Sequence, residues 1–326
     1  MIYNKIVFLC GSSDFHAMDW YESAKELLSH EKVIILTDLI DNEGVKKLIT
    51  DDDHVSKLFI IDKLLFKHQS IVGNLWRNIV KLLLMPLQVY LIKRFYKKNT
   101  NSIFHAHSMY YIWLAAFANV PFIGTPQGSD LLIKPFRSKL FYYLSSFSLT
   151  KAIYITVDSE KMKQKAFEIS GISPIIIQNG IDIKSINHFL NENINKVVEK
   201  NKVLSPRGLS PLYRIKELLL ARNKSYDNLP MTFIYPFFED NYKKSVKNNF
   251  KVIDTDLGRV DRDKMYELFL RSKIIFSIPS SDSSPRSVYE AIFCGAIAGI
   301  TYHPFYDTLP KCMKDRIILI NLSDKN

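Results

Sequence analysis

The chain is poor in cysteine. Cys10, Cys294 and Cys312 are far apart and odd in number. They offer neither a disulfide framework nor a metal-ligand spacing. Lone thiols, two of them in apolar surroundings, suit a reducing cytoplasm. Long apolar runs are missing too. Ile6–Cys10 is followed at once by Ser12, Ser13 and Asp14, which leaves no room for a secretory core. The longest greasy stretch, Ile79–Ile92, is shorter than a spanning helix needs and is interrupted by Lys81, Pro86 and Gln88. There is no repeat or low-complexity tract. With 47% hydrophobic and 24% charged residues, the composition is that of a folded protein rather than a disordered one.

Acids are scarce in one segment. Between Lys63 and Val157 stand twelve Lys and Arg and a single acid, Asp130, so this stretch carries the whole formal net charge of +11. Charge confined in this way points to a partner surface rather than to general solubility. Gly73–Lys98 reads as a helix that mixes Leu, Val, Trp and Tyr with Arg77, Lys81, Lys93, Arg94, Lys97 and Lys98. Pro86 is expected to kink it. Lys134–Tyr143 again sets cations among aromatics. The pattern suits an interfacial element on an anionic membrane surface, at about 1 kcal/mol per well-placed cation. The alternative is a core-packing helix with a solvated basic face. Nucleic acid is not the expected partner, because the cations accompany large aliphatics rather than a recognised reading module.

What is present is alternation. Short apolar runs are expected as strands at Lys5–Cys10, Val33–Thr37, Leu58–Ile61, Ile103–His105, Phe122–Gly124, Ile153–Val157 and Ile175–Ile177, with helical patterns between them. After the turn signal Asn179-Gly180 and a polar stretch to Asn201, the alternation restarts. Strands are then expected at Val203–Ser205, Thr232–Tyr235, Lys251–Ile253, Ile274–Ile278, Ala296–Ile300 and Ile317–Ile320. The length of 326 residues suits two domains, 1–183 and 184–326. Strands alternating with helices imply βαβ units and parallel sheets. The expected fold class is α/β, two Rossmann-like doubly wound domains facing across a cleft, with ligand at the carboxyl ends of the strands.

The most informative segment is Ser280–Gly295, SSDSSPRSVYEAIFCG. A Ser- and Pro-rich loop after a strand feeds a helix N-terminus, which is an anion site. Glu290, in the early turns of that helix, can accept two hydroxyl hydrogen bonds. A merely capped helix is the simpler reading of the same residues.

Here the chain resembles the family 4 retaining glycosyltransferases of the GT-B fold. Their signature, an acid, seven residues and Glu, then Ala and a closing Cys/Ala-Gly, is matched by Asp282, Glu290-Ala291 and Cys294-Gly295. The family usually has Glu where Asp282 stands. The resemblance implies that Asp282 faces the donor sugar, that Arg286, Ser287 and Val288 hold the diphosphate, and that Glu290 binds the ribose. Gly258-Arg259-Val260 resembles the base-binding strand end. Ser205-Pro206-Arg207-Gly208-Leu209 resembles the loop whose Arg grips the pyrophosphate, a job suited to a planar fork. Arg214 or Lys216 stands in for the family's following Lys. In the first half, Cys10-Gly11-Ser12-Ser13 is a glycine-bearing turn able to approach a sugar or phosphate. His105-Ala106-His107 resembles a His-x-His after a strand, with His107 on the acceptor side. Gly124–Asp130 resembles a His-Gly-Ser-Asp loop, with Gln127 in the catalytic His position and Asp130 beside it. Gln cannot titrate. Asp158-Ser159 and Asn179–Asp182 match the remaining markers.

The implied reaction passes a sugar from a nucleotide diphosphate-sugar, UDP-sugar above all, to an acceptor hydroxyl with retention. It implies a lipid-linked or saccharide acceptor, as in bacterial surface polysaccharide or glycolipid synthesis, at the inner face of the membrane. No cofactor is expected. Of the acidic candidates for a metal, Asp51–Asp53, Asp254-Thr255-Asp256 and Asp261-Arg262-Asp263, only the second follows an expected strand, and no metal role is expected. The alternative function is a non-catalytic or epimerase-type GT-B relative that binds a sugar nucleotide or a membrane partner.

Overall fold

The computed structural model describes residues 3–11, 15–28, 32–38, 55–61, 64, 71–193, 199–224 and 229–322. Ser12 and Asp51–Asp53 lie outside them. The chain divides into two units, Met1–Gln178 and Asn179–Asn326.

The first unit holds strands β1 (Lys5–Leu9), β2 (Val33–Thr37), β3 (Val55–Lys57), β4 (Ser102–His107), β5 (Phe122–Thr125), β6 (Tyr154–Val157) and β7 (Ile175–Ile176). They form one parallel sheet in the order β3-β2-β1-β4-β5-β6-β7. A parallel sheet must be covered on both faces. Helix Phe15–Leu27 covers one, where Phe8, Met18, Tyr21 and Ile35 pack. Helix Met109–Ala118, apolar nearly all round, lies on the other with Phe104 and Phe122. It is flanked by the long helix Ile71–Lys98 and by helix Lys139–Leu149. The long helix runs unbroken through Pro86, which faces solvent. There the Leu82 carbonyl forgoes its helical donor, next to water.

The second unit carries β8 (Lys202–Ser205), β9 (Thr232–Ile234), β10 (Thr255–Gly258), β11 (Ser272–Ser277), β12 (Ile297–Ile300) and β13 (Ile317–Leu319). All are parallel, in the order β10-β9-β8-β11-β12-β13. One face packs Leu204, Tyr266, Phe269, Ile275 and Val288; the other packs Ile215, Leu219, Phe233 and Val246.

Two strands sit elsewhere than the sequence suggested. Leu58 and Ile61 are buried, but β3 precedes them. Their N–H groups instead donate to the carbonyls of Thr37 and Asp38. Lys251–Ile253 is a turn with Val252 fully exposed. The Asp254 carboxylate holds that turn by accepting the Lys251 N–H at 2.8 Å, so β10 starts only after it.

Candidate functional site

A doubly wound sheet opens a crevice beyond its carboxyl ends where the strand order reverses. In the second unit that point lies between β8 and β11, whose outer neighbours are β9 and β12. Two loops overhang it. One follows β8 and bears Arg207; the other, Ser280–Pro285, follows β11 and leads into helix Arg286–Phe293. Arg207 bridges them. Its Nη2 donates to Asp282 Oδ2 at 2.7 Å and its Nη1 to Ser287 Oγ at 3.3 Å. The guanidinium lies over the Tyr213 ring, 4.5 Å from its centre. The Arg207 and Asp282 side chains are only 11% and 13% exposed. The Arg207 Nε is buried with no hydrogen-bond partner among the described residues. Burial raises the Tyr213 phenol pKa against the opposing pull of Arg207, and Asp282 adds to the rise.

Local packing fixes this loop. A Cβ on Gly208 would lie 2.5 Å from the Phe237 ring, so any other residue there would have to displace that ring. The Leu209 N–H donates to Phe237 O, and the Ser280 N–H to Leu212 O at 2.8 Å. The loops after β8, β9 and β11 are thereby tied together.

Helix Arg286–Phe293 has Pro285 at its N-cap, with no capping side chain. Its first-turn N–H groups and its positive dipole end therefore suit an anion. Val288 and Glu290 are buried on this helix. The charge of Glu290 is felt nearby. After burial itself, it is the next cause raising the Tyr266 phenol pKa, and with burial it pushes the Cys294 thiol up to about 12. The Tyr266 hydroxyl is buried without a partner among the described residues. At the near edge, Ser284 Oγ donates to Asn179 O at 3.3 Å. Asp182 caps helix Ile183–Glu192 by accepting the Ser185 N–H at 2.9 Å, and pairs with Arg262 at 3.1 Å. Burial works to raise the Asp182 pKa, but the Ser185 bonds, Arg262 and Arg286 together hold it below the ordinary carboxylate value.

The structure thus gathers Arg207, Asp282 and Ser287, with Arg286, Val288 and Glu290 on the same helix as Ser287. Other candidates stand outside this hydrogen-bonded group. Val260 packs on the unit's core, while Arg259 beside it is exposed. Arg214, at φ 53°, lines a groove with Thr301, Tyr302 and Leu319–Leu322. Lys216 is exposed, and its backbone N–H donates to the Tyr242 hydroxyl at 3.1 Å. The Asp254-Thr255-Asp256 acids have structural jobs. The Asp254 side chain is fully buried in a two-pronged pair with Arg222, at 2.7 and 2.6 Å. Asp256 pairs with Lys247 at 3.1 Å.

In the first unit the order reverses between β1 and β4. Gly11, buried, follows β1. Ser108 follows β4 at φ 65° and ψ 156°, a region natural only to glycine. Asp130 supports it: the buried carboxylate accepts the N–H groups of Met109 at 2.8 Å and Gln127 at 3.2 Å, and pairs with Lys134 at 2.7 Å. Gln127 itself is exposed at the start of helix Gly128–Leu132. His107 is 2% exposed, packed with His105 among Phe8 and Trp20. Burial lowers both imidazole pKa values, that of His105 to about 4. His105 Nε2 lies 2.8 Å from Thr125 Oγ1.

One constellation was not anticipated. Asp38, just past β2, is wholly buried. It accepts the Tyr111 hydroxyl at 2.5 Å and Gln88 Nε2 at 3.1 Å, and pairs with Lys81 at 3.7 Å. Lys81 also lies over the rings of Tyr110 and Tyr111. Burial first, then Asp38, raises both phenol pKa values. A signal was present: Lys81 and Gln88 interrupt the apolar run seven residues apart, on one helix face.

No family profile matches the chain, and no curated protein matches it in sequence. Solved structures do. HepE from Anabaena, in complex with UDP and glucose, matches with a TM-score of 0.68 at 15% identity, over 95% of this chain and 83% of that one. Sucrose-phosphate synthase from Thermosynechococcus elongatus matches with a TM-score of 0.70 at 11% identity, over 98% and 86%. A UDP-forming trehalose-phosphate synthase from Burkholderia xenovorans matches with a TM-score of 0.62 at 10% identity, over 98% and 88%. At these identities the likeness establishes the fold, which is the GT-B architecture of two parallel-sheet units.

Proposed function

We propose that the chain is a retaining glycosyltransferase of family 4, moving a sugar from a UDP-sugar to a hydroxyl of a saccharide or lipid-linked acceptor. The observation that carries this reading is Arg207, Asp282 and Ser287 converging at the strand-order reversal, beside a helix N-terminus whose N-cap residue, Pro285, makes no capping bond. Departure of a nucleoside diphosphate puts negative charge where Arg207 and that helix end supply fixed positive charge. Glu290 takes the ribose hydroxyls and Asp282 the sugar hydroxyls. A donor phosphate oxygen helps to remove the acceptor proton, so no separate base is required. Support also comes from the shared fold, since HepE is held in complex with UDP and glucose and the Burkholderia enzyme is a UDP-forming synthase.

Titration calorimetry with UDP, followed by UDP release from a panel of UDP-sugars, tests the proposal. Binding of UDP that is lost in Arg207→Ala while the melting temperature holds supports it. Absence of any nucleoside diphosphate binding at millimolar concentration overturns it.

A further inference from the structure

The solvent side of helix Ile71–Lys98 is apolar. Its core side is marked by Val80, Gln88 and Ile92, all buried. At about 100° per residue, the opposite side runs through Leu75, Ile79, Leu82, Leu83 and Tyr90, which are between 41% and 73% exposed. Within Leu75–Lys98 the helix reaches a mean hydropathy of 1.3, yet only 17% of that window is buried. Past Tyr90 the same side becomes cationic, with Lys93, Arg94 and Lys97 exposed. The helix contains no acid.

Helix Lys139–Leu149 repeats the pattern. Leu140 and Tyr143 are each 68% exposed, in line with Phe147 and, just upstream, Phe136. Arg137 and Lys139 stand exposed at its start and Lys151 beyond its end. Helix Met109–Ala118 joins the two stripes. The Tyr110 hydroxyl donates to Lys81 O at 2.9 Å on one side, and Trp113 meets Phe141 edge-on at 4.9 Å on the other. Right-handed crossovers put all three helices on the sheet face opposite helix Phe15–Leu27.

We propose that these two helices form one docking face for an anionic lipid bilayer and lie in its interface. Charge selects the occupant. The segment from Lys63 to Val157 has twelve cations and one acid, and that acid, Asp130, is already engaged by Lys134 and two backbone N–H groups. A second copy seated on this face would set like charges against each other. The helix lies on the bilayer rather than crossing it, because Lys81 and Gln88 on its inner side are tied to buried Asp38.

The test is flotation of the full chain, without nucleotide, on vesicles of phosphatidylcholine alone or with phosphatidylglycerol. Partitioning onto the phosphatidylglycerol vesicles is expected, and it should weaken as salt shortens the screening length. Leu82→Glu with Leu83→Glu, and separately Leu140→Glu with Tyr143→Glu, should each lower partitioning by about tenfold. The melting temperature should not move, since all four side chains are exposed. Unchanged partitioning in both variants overturns the proposal. So does a wild-type dimer that these substitutions dissolve while vesicles go unbound, or vesicle-bound protein that resists alkaline extraction. Because no donor is present, the result stands apart from the transferase reading.

Discussion

Replacing Asp282 with Asn should tighten UDP binding while slowing transfer. The Asp282 carboxylate holds Arg207 at 2.7 Å with both side chains nearly buried. An incoming diphosphate must draw the guanidinium away from that partner. A hydrogen bond to a charged group contributes about 1.5–3 kcal/mol net. Asn keeps an acceptor oxygen but loses the charge, so roughly 1–2 kcal/mol of competition is removed. That is about 5- to 30-fold in the dissociation constant of UDP. A UDP-sugar should gain less, because its sugar hydroxyls lose the carboxylate that was to receive them. Calorimetry with UDP and with a UDP-sugar, on wild type and Asp282→Asn, separates the two effects. UDP binding that is unchanged or weaker in the variant would refute the exchange, and would mean that Arg207 and Asp282 act on the donor as one unit.

Glu290→Gln should weaken UDP by about tenfold. It should not add to the loss seen with 2′-deoxy-UDP, and full additivity would show that Glu290 does not meet the ribose. Arg222→Ala should cost about 3–5 kcal/mol of stability by stranding buried Asp254, while UDP affinity in the folded fraction stays unchanged. Denaturant unfolding and calorimetry read the two outcomes, and a loss of UDP affinity would assign this pair to the site after all. Acid should weaken the first unit through His105, whose folded pKa of about 4 lies below the unfolded value of about 6.5. Its contribution is complete above about pH 6.5, is lost as pH falls toward 4, and amounts to about 3 kcal/mol at most. His105→Gln should flatten urea midpoints across that range, and an equally steep decline in the variant would exclude His105 as the cause.

Central strands were legible from sequence because they are buried on both faces and so read as unbroken apolar runs; Val33–Thr37 matches β2 residue for residue. The margins of the sheets were less legible. At β3 the greasiest residues, Leu58 and Ile61, belong to the turn past the strand. At β10 the apolar pair Val252-Ile253 sits in a turn that Asp254 creates through a buried ion pair with Arg222, 32 residues away. The same logic governs the polar clusters. Ser280–Gly295 could be read as a loop feeding a helix because its parts are contiguous. The Asp38 cluster draws on three segments, and within one of them its members looked like flaws in an apolar run. Gln127 and Asp130 were read as neighbours in one loop, but only the fold shows that Asp130 turns inward onto Met109 while Gln127 faces solvent.

At each strand-order reversal some buried polar groups are satisfied and others are not. In the first unit two buried acids are well supplied: Asp130 has three donors, and Asp38 has a hydroxyl, an amide and an ammonium. Such groups hold backbone in place and have little left to offer a ligand. What they hold includes Ser108, whose φ of 65° costs about 1–3 kcal/mol and persists only when its surroundings over-determine it. Beside them the His107 Nε2 is buried with no hydrogen-bond partner among the described residues. The second unit holds such groups as well. The Arg207 Nε and the Tyr266 hydroxyl are buried and unpartnered among the described residues, and a buried donor left unmade costs about 1–3 kcal/mol. A ligand that supplies those acceptors recovers that energy on binding. At the reversal between β8 and β11 Arg207 thus keeps donor capacity in reserve, and an anionic ligand is the kind that would use it.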